Sequence, residues 1–191
     1  MIPRRYRSIL VIATLWFATL TAFVVHQSGW LQLAVVLLLF PYMGCLLSAL
    51  VIPFRDWKTR QFHALTPLGA CLVSLLGPYL IGPPLRTGLF YYHLSRYEAI
   101  VSRVERDPAF DNRKPATVST EEAEKDLAYS VLAQKDANGI LTVEFLTGGG
   151  FPVKHTGYVF SSTEAFPRES FIGQRWPYFH EVRPHWFRIA D

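Results

Sequence analysis

Charged side chains are almost absent from the first 85 residues of this chain. No Asp, Glu, Lys or Arg interrupts residues 8–54, and none interrupts residues 64–85. A soluble core rarely needs so many consecutive apolar residues, whereas each helix that crosses a bilayer needs about 20 of them. The missing charge therefore predicts a membrane module at residues 1–85, followed by a more polar part.

Cysteine is the second scarcity. Cys45 and Cys71 are the only two, and both lie in the apolar stretches. The sequence beyond residue 85 consequently offers neither a disulfide framework nor a cysteine-based zinc site. We expect the two thiols to act as small packing residues inside the membrane module.

A basic surface for nucleic acid is also missing, although the net charge is +4. Six basic residues and one acidic residue lie before residue 64, beside the apolar stretches. From Arg86 onward the chain carries 13 basic and 14 acidic residues. The positive excess thus belongs to the membrane flanks, and we predict no nucleic-acid partner.

The membrane module is predicted to contain three transmembrane helices, at about residues 8–25, 30–54 and 64–82. A cleavable signal peptide is the alternative interpretation of the first. Its apolar region is longer than the roughly 7–15 residues usual for a signal peptide, and no small-x-small cleavage site closes it. We therefore favour a permanent first span.

The orientation of the spans follows from lysine and arginine in short loops, which favour the cytoplasmic side. Such residues cluster before the first span and between the second and third: Arg4, Arg5, Arg7, Arg55, Lys58 and Arg60. We expect a bacterial inner or plasma membrane protein with a cytoplasmic N-terminus, an extracytoplasmic C-terminal domain, and the lipid bilayer as a partner.

Two pairs of small residues mark faces on which spans can approach closely. Gly44 and Ser48 form one small-xxx-small pair, and Ala70 and Ser74 form the other. Packing within the chain and contact with another membrane protein are both open at this stage. A small channel or transporter subunit is a further alternative, although no ionisable residue of the kind that marks a conduction path lies inside a span.

Residues 86–115 are predicted to form an amphipathic helix followed by a linker. An apolar stripe recurs with a spacing of four and three residues: Phe90, Leu94, Tyr97, Val101 and Val104. A coiled coil would need more heptads than this stripe provides. We expect the stripe to pack on the sheet of the domain that follows.

Residues 116–191 are predicted to form a small extracytoplasmic α+β domain, an antiparallel meander of four or five strands with one or two helices. Ser119 and Glu122 match a capping box for a short helix near residues 120–126. Alternating patterns predict strands over residues 127–133, 141–145, 155–160, 178–183 and 186–189. Asn138 and Gly139 predict a type I′ hairpin turn between the first two.

The best candidate for a binding site is a glycine-rich loop after the second strand. Gly148, Gly149 and Gly150 precede Phe151, and His155 follows closely. A phosphate-binding P-loop would need Lys and Ser or Thr opening a helix, which Phe151 and Pro152 do not supply. A bulged strand connection is the structural alternative, and a close approach of a partner to the glycine backbone is the functional one.

Metal binding and acid–base chemistry are weaker hypotheses. His155, His180 and His185 lie on predicted strands, and three imidazoles brought together would bind zinc. Their spacing matches no zinc motif. Glu144 and Glu181 would act as paired carboxylates only if the fold placed them side by side. We predict no cofactor and no metal.

The sequence carries no catalytic signature that assigns a reaction. We expect a membrane-anchored interaction or accessory protein that presents a small β-rich domain to another membrane or envelope protein. An enzyme or metal-binding domain at the membrane surface, using converging His and Glu side chains, is the main alternative.

Overall fold

The computed structural model describes residues 4–26, 29–60, 65–110, 115–119, 124, 126–148, 155–166 and 178–190. It divides into two compact units, Met1–Arg86 and Thr87–Asp191. The described elements are α1 (Arg4–His26), α2 (Gly29–Arg60), α3 (Thr66–Arg106), a single 3-10 turn (Pro108–Phe110), β1 (Ala116–Thr117), β2 (Ser130–Lys135), β3 (Leu141–Gly148), β4 (Thr156–Ser161), β5 (Tyr178–Arg183) and β6 (Trp186–Ala190).

Each of the three helices is long and apolar enough to cross a membrane, which supports the membrane module by length and composition. Two boundaries differ from the prediction. Helix α2 continues to Arg60, through the basic segment predicted to be a loop. The third span and the amphipathic segment are one helix, α3, with Pro83 and Pro84 inside it. Proline fixes a helical φ and removes one backbone bond, a loss that helices with apolar surroundings tolerate.

Tyr42 on α2 holds the three helices of the first unit together. Its ring stacks on Trp16 of α1, with ring centroids 4.6 Å apart and planes 12° from parallel. Its hydroxyl donates to the carbonyl oxygen of Cys71 on α3 at 2.5 Å. Ser74 donates to the same carbonyl at 2.9 Å. One aromatic side chain thus contacts both neighbouring helices.

Close approach between α1 and α3 depends on glycine. A Cβ at Gly77 would lie 2.7 Å from a ring carbon of Phe17, and a Cβ at Gly82 would overlap Val24. The side chain of Arg86 donates to the carbonyl of Val24, near the end of α1, where helix carbonyls lack backbone partners. Small residues and one capping cation therefore fix this helix pair.

The small-residue pairs occupy different environments. Ser74 is buried and Ala70 is half-buried, so this pair faces the interior of the first unit. Gly44 and Ser48 are exposed, and a Cβ at Gly44 would meet nothing within 4 Å. They line an outward groove of about 760 Å³ together with Pro41 and Val51. Packing within the chain thus accounts for the Ala70 pair but not for the Gly44 pair.

The second unit contains a six-stranded antiparallel sheet in the order β1-β2-β3-β4-β6-β5. The sheet has one strand more than the predicted maximum of five. The additional strand is β1, whose two residues lie in a segment for which the sequence predicts no strand. The predicted antiparallel meander is confirmed for β1 to β4, and the order departs from it only at the last two strands, since β6 pairs with both β4 and β5. Strand β5 consequently lies at an edge of the sheet.

The hairpin turn between β2 and β3 differs from the predicted type I′. Gly139 has a φ of +79°, whereas Asn138 does not have a positive φ. The backbone N–H of Asp136 donates to the carbonyl of Ile140 at 3.0 Å, and its carboxylate accepts from the N–H groups of Asn138 and Ile140. The Asp136 carboxylate therefore holds a wider turn in which one glycine supplies the positive φ.

The predicted apolar stripe of α3 is confirmed as the helical side of the core. Phe90, Tyr97, Val101 and Val104 are buried, and Leu94 packs against them. The sheet contributes the other side of the same cluster: Val131, Ala133, Leu141, Val143, Phe145, Tyr158 and Trp186. The predicted helix near residues 120–126 lies mostly outside the described residues; residues 126–127 form a turn, and β2 begins only at Ser130.

The face of the sheet opposite α3 carries a smaller cluster. Leu146, Val159 and Ile189 are buried there, and Phe166 packs on them. Because both faces of the central strands are covered, seven of the eight residues of β3 are buried.

Candidate functional site on the outer strands of the sheet

The predicted glycine loop is only partly described. Gly148 is the buried last residue of β3, and a β-bulge between Leu146 and Gly148 shifts its register against β4. His155 is half-buried and precedes β4. Gly149, Gly150 and Phe151 lie outside the described residues, so the loop stays a prediction as a binding site. The bulge accords with the structural alternative for its first glycine.

The structure does not bring the three histidines together. His185 lies at the Ser161 end of β4, where its Nδ1 donates to the carbonyl of Ser161 at 3.0 Å. His155 precedes the opposite end of this six-residue strand, roughly 20 Å away at the usual rise per residue. His180 lies on β5. His185 has a φ of 70°, and its hydrogen bond fixes the turn between β5 and β6.

The two glutamates are also apart. Glu144 is fully buried on β3, and Glu181 is exposed on β5. Register places Glu144 opposite Val159, Val159 opposite Phe187, and Phe187 opposite Glu181. Three strand spacings separate the two residues, about 14 Å, which is too far for a carboxylate pair to share a proton. Within the described ranges, no group of three His, Cys, Asp or Glu side chains could hold a metal ion.

Strand β5 is the most exposed element of the sheet. Five of its six residues are exposed, among them Tyr178 at 73% and Phe179 at 56%. Large aromatic side chains usually lose most of their exposed area on folding. The opposite edge of the sheet is β1, which has only two residues. The β1 edge of the sheet is therefore short. The β5 edge is longer, is exposed, and begins with two aromatic residues.

The open strand is held firmly in place. Phe179 stacks on Phe166 with ring centroids 4.0 Å apart. Tyr91 of α3 donates to the carbonyl of Val182 at 2.9 Å. Arg183 forms an ion pair with Glu98 of α3 at 2.8 Å. These contacts hold β5 from both faces of the sheet and leave its outer edge free of described neighbours.

A row of three polar side chains crosses the helix-facing side of the outer strands. Tyr158 of β4 is the register partner of Arg188 of β6, which is in turn the partner of His180 of β5. Register partners in antiparallel strands project to the same face, with Cβ atoms about 5 Å apart. The ring of Tyr158 lies against Phe90 of α3 at 4.6 Å. The row therefore begins under the helix and ends at the exposed strand.

Burial shifts the pKa of two members of this row, Tyr158 and Arg188. It raises the pKa of Tyr158 to about 12, so that the phenol is a hydrogen-bond donor at neutral pH. It lowers the pKa of Arg188, which nevertheless keeps its charge, because arginine starts from a value far above neutrality. The row thus places donors and a positive charge on neighbouring strands.

Sequence reasoning missed Arg188. Tyr158 and Arg188 belong to segments 30 residues apart, and only the insertion of β6 beside β4 makes them neighbours. The available signal was the alternation of Trp186, Arg188 and Ala190, which puts a cation among residues that point to the core side. Comparison with protein-family models, characterised proteins and solved structures finds no match to this chain.

Proposed function

We propose that this protein is a membrane-anchored interaction or accessory protein whose C-terminal domain binds another membrane or envelope protein. The observation that supports this most is the open edge of β5, with five exposed residues out of six. The partner contributes an extended segment that pairs with β5 as a seventh strand.

Unpaired edge strands bind extended peptides because their free N–H and C=O groups form the backbone bonds of an added strand. Natural proteins usually shorten or cover such edges, since they also promote aggregation. The β1 edge has this protection through its length of two residues, and no described residue gives it to the six-residue β5 edge. A role in binding a partner's strand would explain why a membrane-anchored protein keeps a six-residue edge strand exposed.

The side chains at the start of β5 supply the second part of the argument. Tyr178 lies on the helix-facing side of the sheet and Phe179 on the other, because neighbours in a strand alternate. Both are exposed. An added strand would therefore gain aromatic contacts on both faces near the same point, in addition to backbone hydrogen bonds.

Site-specific photocross-linking tests the proposal. A photoreactive phenylalanine analogue at Tyr178, in the full chain in its own membranes, should give a discrete adduct with one partner. The same analogue at Tyr129 is the matched control, because Tyr129 is also exposed, at 59%, but lies just before β2. Mapping of the adduct should find an extended segment of the partner.

Two results would contradict the proposal. One is an equal adduct pattern from Tyr178 and Tyr129, which would indicate random collision. The other is a Tyr178 adduct that persists unchanged when His180→Pro and Phe179→Lys are combined, since proline and charge both oppose strand addition. Circular dichroism of the double variant has to show an intact fold for this second result to count.

We also propose the orientation of the chain: a cytoplasmic N-terminus and an extracytoplasmic C-terminal domain in a bacterial inner or plasma membrane. The support is the basic residues at the start of α1 and those between the second and third apolar stretches. A periplasm-specific reporter fused after Ala190 should be active, and a cytoplasm-specific one silent. The reverse pattern would refute the orientation and leave the β5 proposal to its own test.

A further inference from the structure

Three arginine side chains of the second unit are paired with carboxylates. Arg96 binds the carboxylate of Asp126, Arg103 that of Glu124, and Arg183 that of Glu98. Arg188 has no hydrogen bond and no ion pair to any described group. It is also half-buried, so water does not fully replace a partner. A cation in that position is stabilised less than its neighbours are.

Tyr158 presents a second unpaired donor beside Arg188. The residue is only 6% exposed, and its hydroxyl forms no hydrogen bond with the described part of the protein. By contrast, the nearby Tyr97 and Tyr91 hydroxyls both donate to backbone carbonyls, those of Leu127 and Val182. The Tyr158 hydroxyl oxygen is not one of the fully enclosed polar atoms of the described residues, so this donor is accessible to a ligand.

His180 completes the row on the exposed side. It is the register partner of Arg188 on β5, and neither a hydrogen bond nor an ion pair to a described residue engages its ring. Acidic side chains of the outer strands do not fill the row, since Glu181 follows His180 directly and therefore points to the opposite face. Three adjacent strands, β4, β6 and β5, thus contribute donors to the same face of the sheet.

We infer that Tyr158, Arg188 and His180 form a binding site for a phosphate group, supplied either by inorganic phosphate or by a lipid headgroup. The guanidinium offers a charged fork of N–H donors that matches phosphate oxygens. The phenol and the imidazole extend the donor set to each side, which suits a group with several acceptor oxygens. The exposed end of the row, at His180, provides access.

The site is independent of the proposed addition of a strand at β5. Strand addition uses the backbone edge of β5 with Tyr178 and Phe179, whereas the phosphate site uses the side chains of Tyr158, Arg188 and His180. The phosphate test changes Arg188 and Tyr158, neither of which lies on β5, so its failure leaves the cross-linking result unaffected.

Binding is tested on the full chain purified in a maltoside detergent, which contains no phosphate. Inorganic phosphate, and separately a short-chain phosphatidic acid, are titrated while the melting temperature of the second unit is followed. A ligand that binds only the folded state raises this temperature in proportion to its saturation. Sodium chloride at matched ionic strength is the control for general screening.

We expect phosphate to raise the melting temperature of the wild-type protein. Arg188→Gln should increase the apparent Kd for phosphate by about tenfold or more. Tyr158→Phe, which keeps the ring against Phe90, should weaken binding by a smaller factor. Arg183→Gln is the matched control, because Arg183 is already paired with Glu98 and should leave the phosphate response unchanged. A rise with phosphatidic acid alone would assign the headgroup as the source, and a rise with both would assign the phosphate group itself.

A second variant keeps the inference open to refutation if Arg188→Gln folds poorly. Arg188→Met retains the apolar stem and removes the unpaired charge, so the melting temperature without phosphate should rise. A fall would show that the charge already has a structural partner and would overturn the inference. No response of the wild-type protein to either ligand, or an equal response in Arg188→Gln, would overturn it as well.

Discussion

Large apolar side chains lie on the surface of the first unit and in the interior of the second. In the first unit, large apolar side chains face outward, as Leu37 does at 64% and Phe40 at 77% exposure. In the second unit, Val143 and Phe145 are completely buried, and charged pairs occupy the outer side of α3. The first pattern requires an apolar solvent and the second requires water.

The buried residues of the two units differ as well. They indicate which interactions stabilise the fold of each unit. The first unit buries small or weakly polar groups, such as Ala49, Cys45 and Ser74, around the stacked rings of Trp16 and Tyr42. Lipid gives helices no hydrophobic reason to associate, so close packing and interhelical hydrogen bonds have to act instead. The second unit buries Val, Phe, Tyr and Trp, the residues whose removal from water stabilises a fold most. One chain thus contains two kinds of core.

Substitution of glycine by alanine tests this difference between the two units. The largest loss of stability is expected at Gly157 in the second unit. A Cβ there would overlap the backbone carbonyl oxygen of Phe145 on β3, and backbone cannot swing aside. Gly157→Ala should lower the free energy of unfolding by more than about 4 kcal/mol. Chemical denaturation followed by near-UV circular dichroism measures this loss.

Gly88→Ala is the control for Gly157→Ala. Gly88 lies in α3, and a Cβ there would meet nothing within 4 Å. Alanine should therefore stabilise the helix by about 0.5–1 kcal/mol. A Gly157→Ala protein that matched the wild type would mean that the sheet does not pack as described.

The next effect is expected at Gly82 in the first unit. Alanine there would overlap the side chain of Val24 and push α1 away from α3. We expect a loss of about 1–3 kcal/mol, smaller than at Gly157 because two helices can shift apart. Steric trapping or unfolding in mixed micelles measures it. Gly69→Ala, with no neighbour within 4 Å, should be close to neutral, and equal losses at both positions would exclude close packing of α1 on α3.

A smaller effect is expected when Tyr42 loses its hydroxyl. Tyr42→Phe keeps the stack on Trp16 but removes the bond to the Cys71 carbonyl. Interhelical hydrogen bonds in membranes contribute about 0.6 kcal/mol on average and about 1.7 kcal/mol at most. The same unfolding assay should detect a loss in that range. The outward-facing Tyr79→Phe is the control, and a larger effect there would refute the assignment of Tyr42 to the interior.

The smallest effect is expected at the surface of the second unit, where Arg96 pairs with Asp126. The Arg96 guanidinium holds the pKa of the Asp126 carboxyl below its ordinary value of 3.8. Because the folded value is depressed, the contribution to stability is present above pH 3.8 and is lost as the pH falls through the lower, folded value. Acid titration of the melting temperature measures the loss, which Asp126→Asn should abolish. An unchanged acid response in that variant would show that other carboxylates carry it.

Periodicity in the sequence was enough to predict the class of each unit. Uncharged stretches indicated three apolar helices, and the stripe from Phe90 to Val104 indicated one helix packed on a sheet. The patterns failed at the end of the third span: the span and the amphipathic segment were predicted as separate helices, whereas they form one helix, α3, with Pro83 and Pro84 inside it. Helix continuity depends on the surroundings of the freed carbonyls, which a local pattern does not contain.

The strand order and the polar row were beyond prediction for a different reason. Alternation specifies which residues share a face of one strand, but it does not specify which strands become neighbours. Tyr158 and Arg188 meet because β6 inserts between β4 and β5, and no spacing in the sequence encodes that insertion. The importance of Gly157 was missed for the same reason. Only glycine fits there because a Cβ would overlap the carbonyl of Phe145, which lies on another strand.

The position of β6 between β4 and β5 also constrains the order in which the sheet is built. Strand β5 precedes β6 in the chain, yet β5 has no described strand partner except β6, so it cannot join the growing sheet as it is synthesised. The turn at Pro184 and His185 lets β5 and β6 form a local hairpin first. That hairpin then docks on β4 as one piece, and because more residues separate β4 from the hairpin, this contact closes more slowly. Until it docks, β4 is itself an open edge, and this interval is the one in which a nascent chain is most exposed to pairing with the wrong strand.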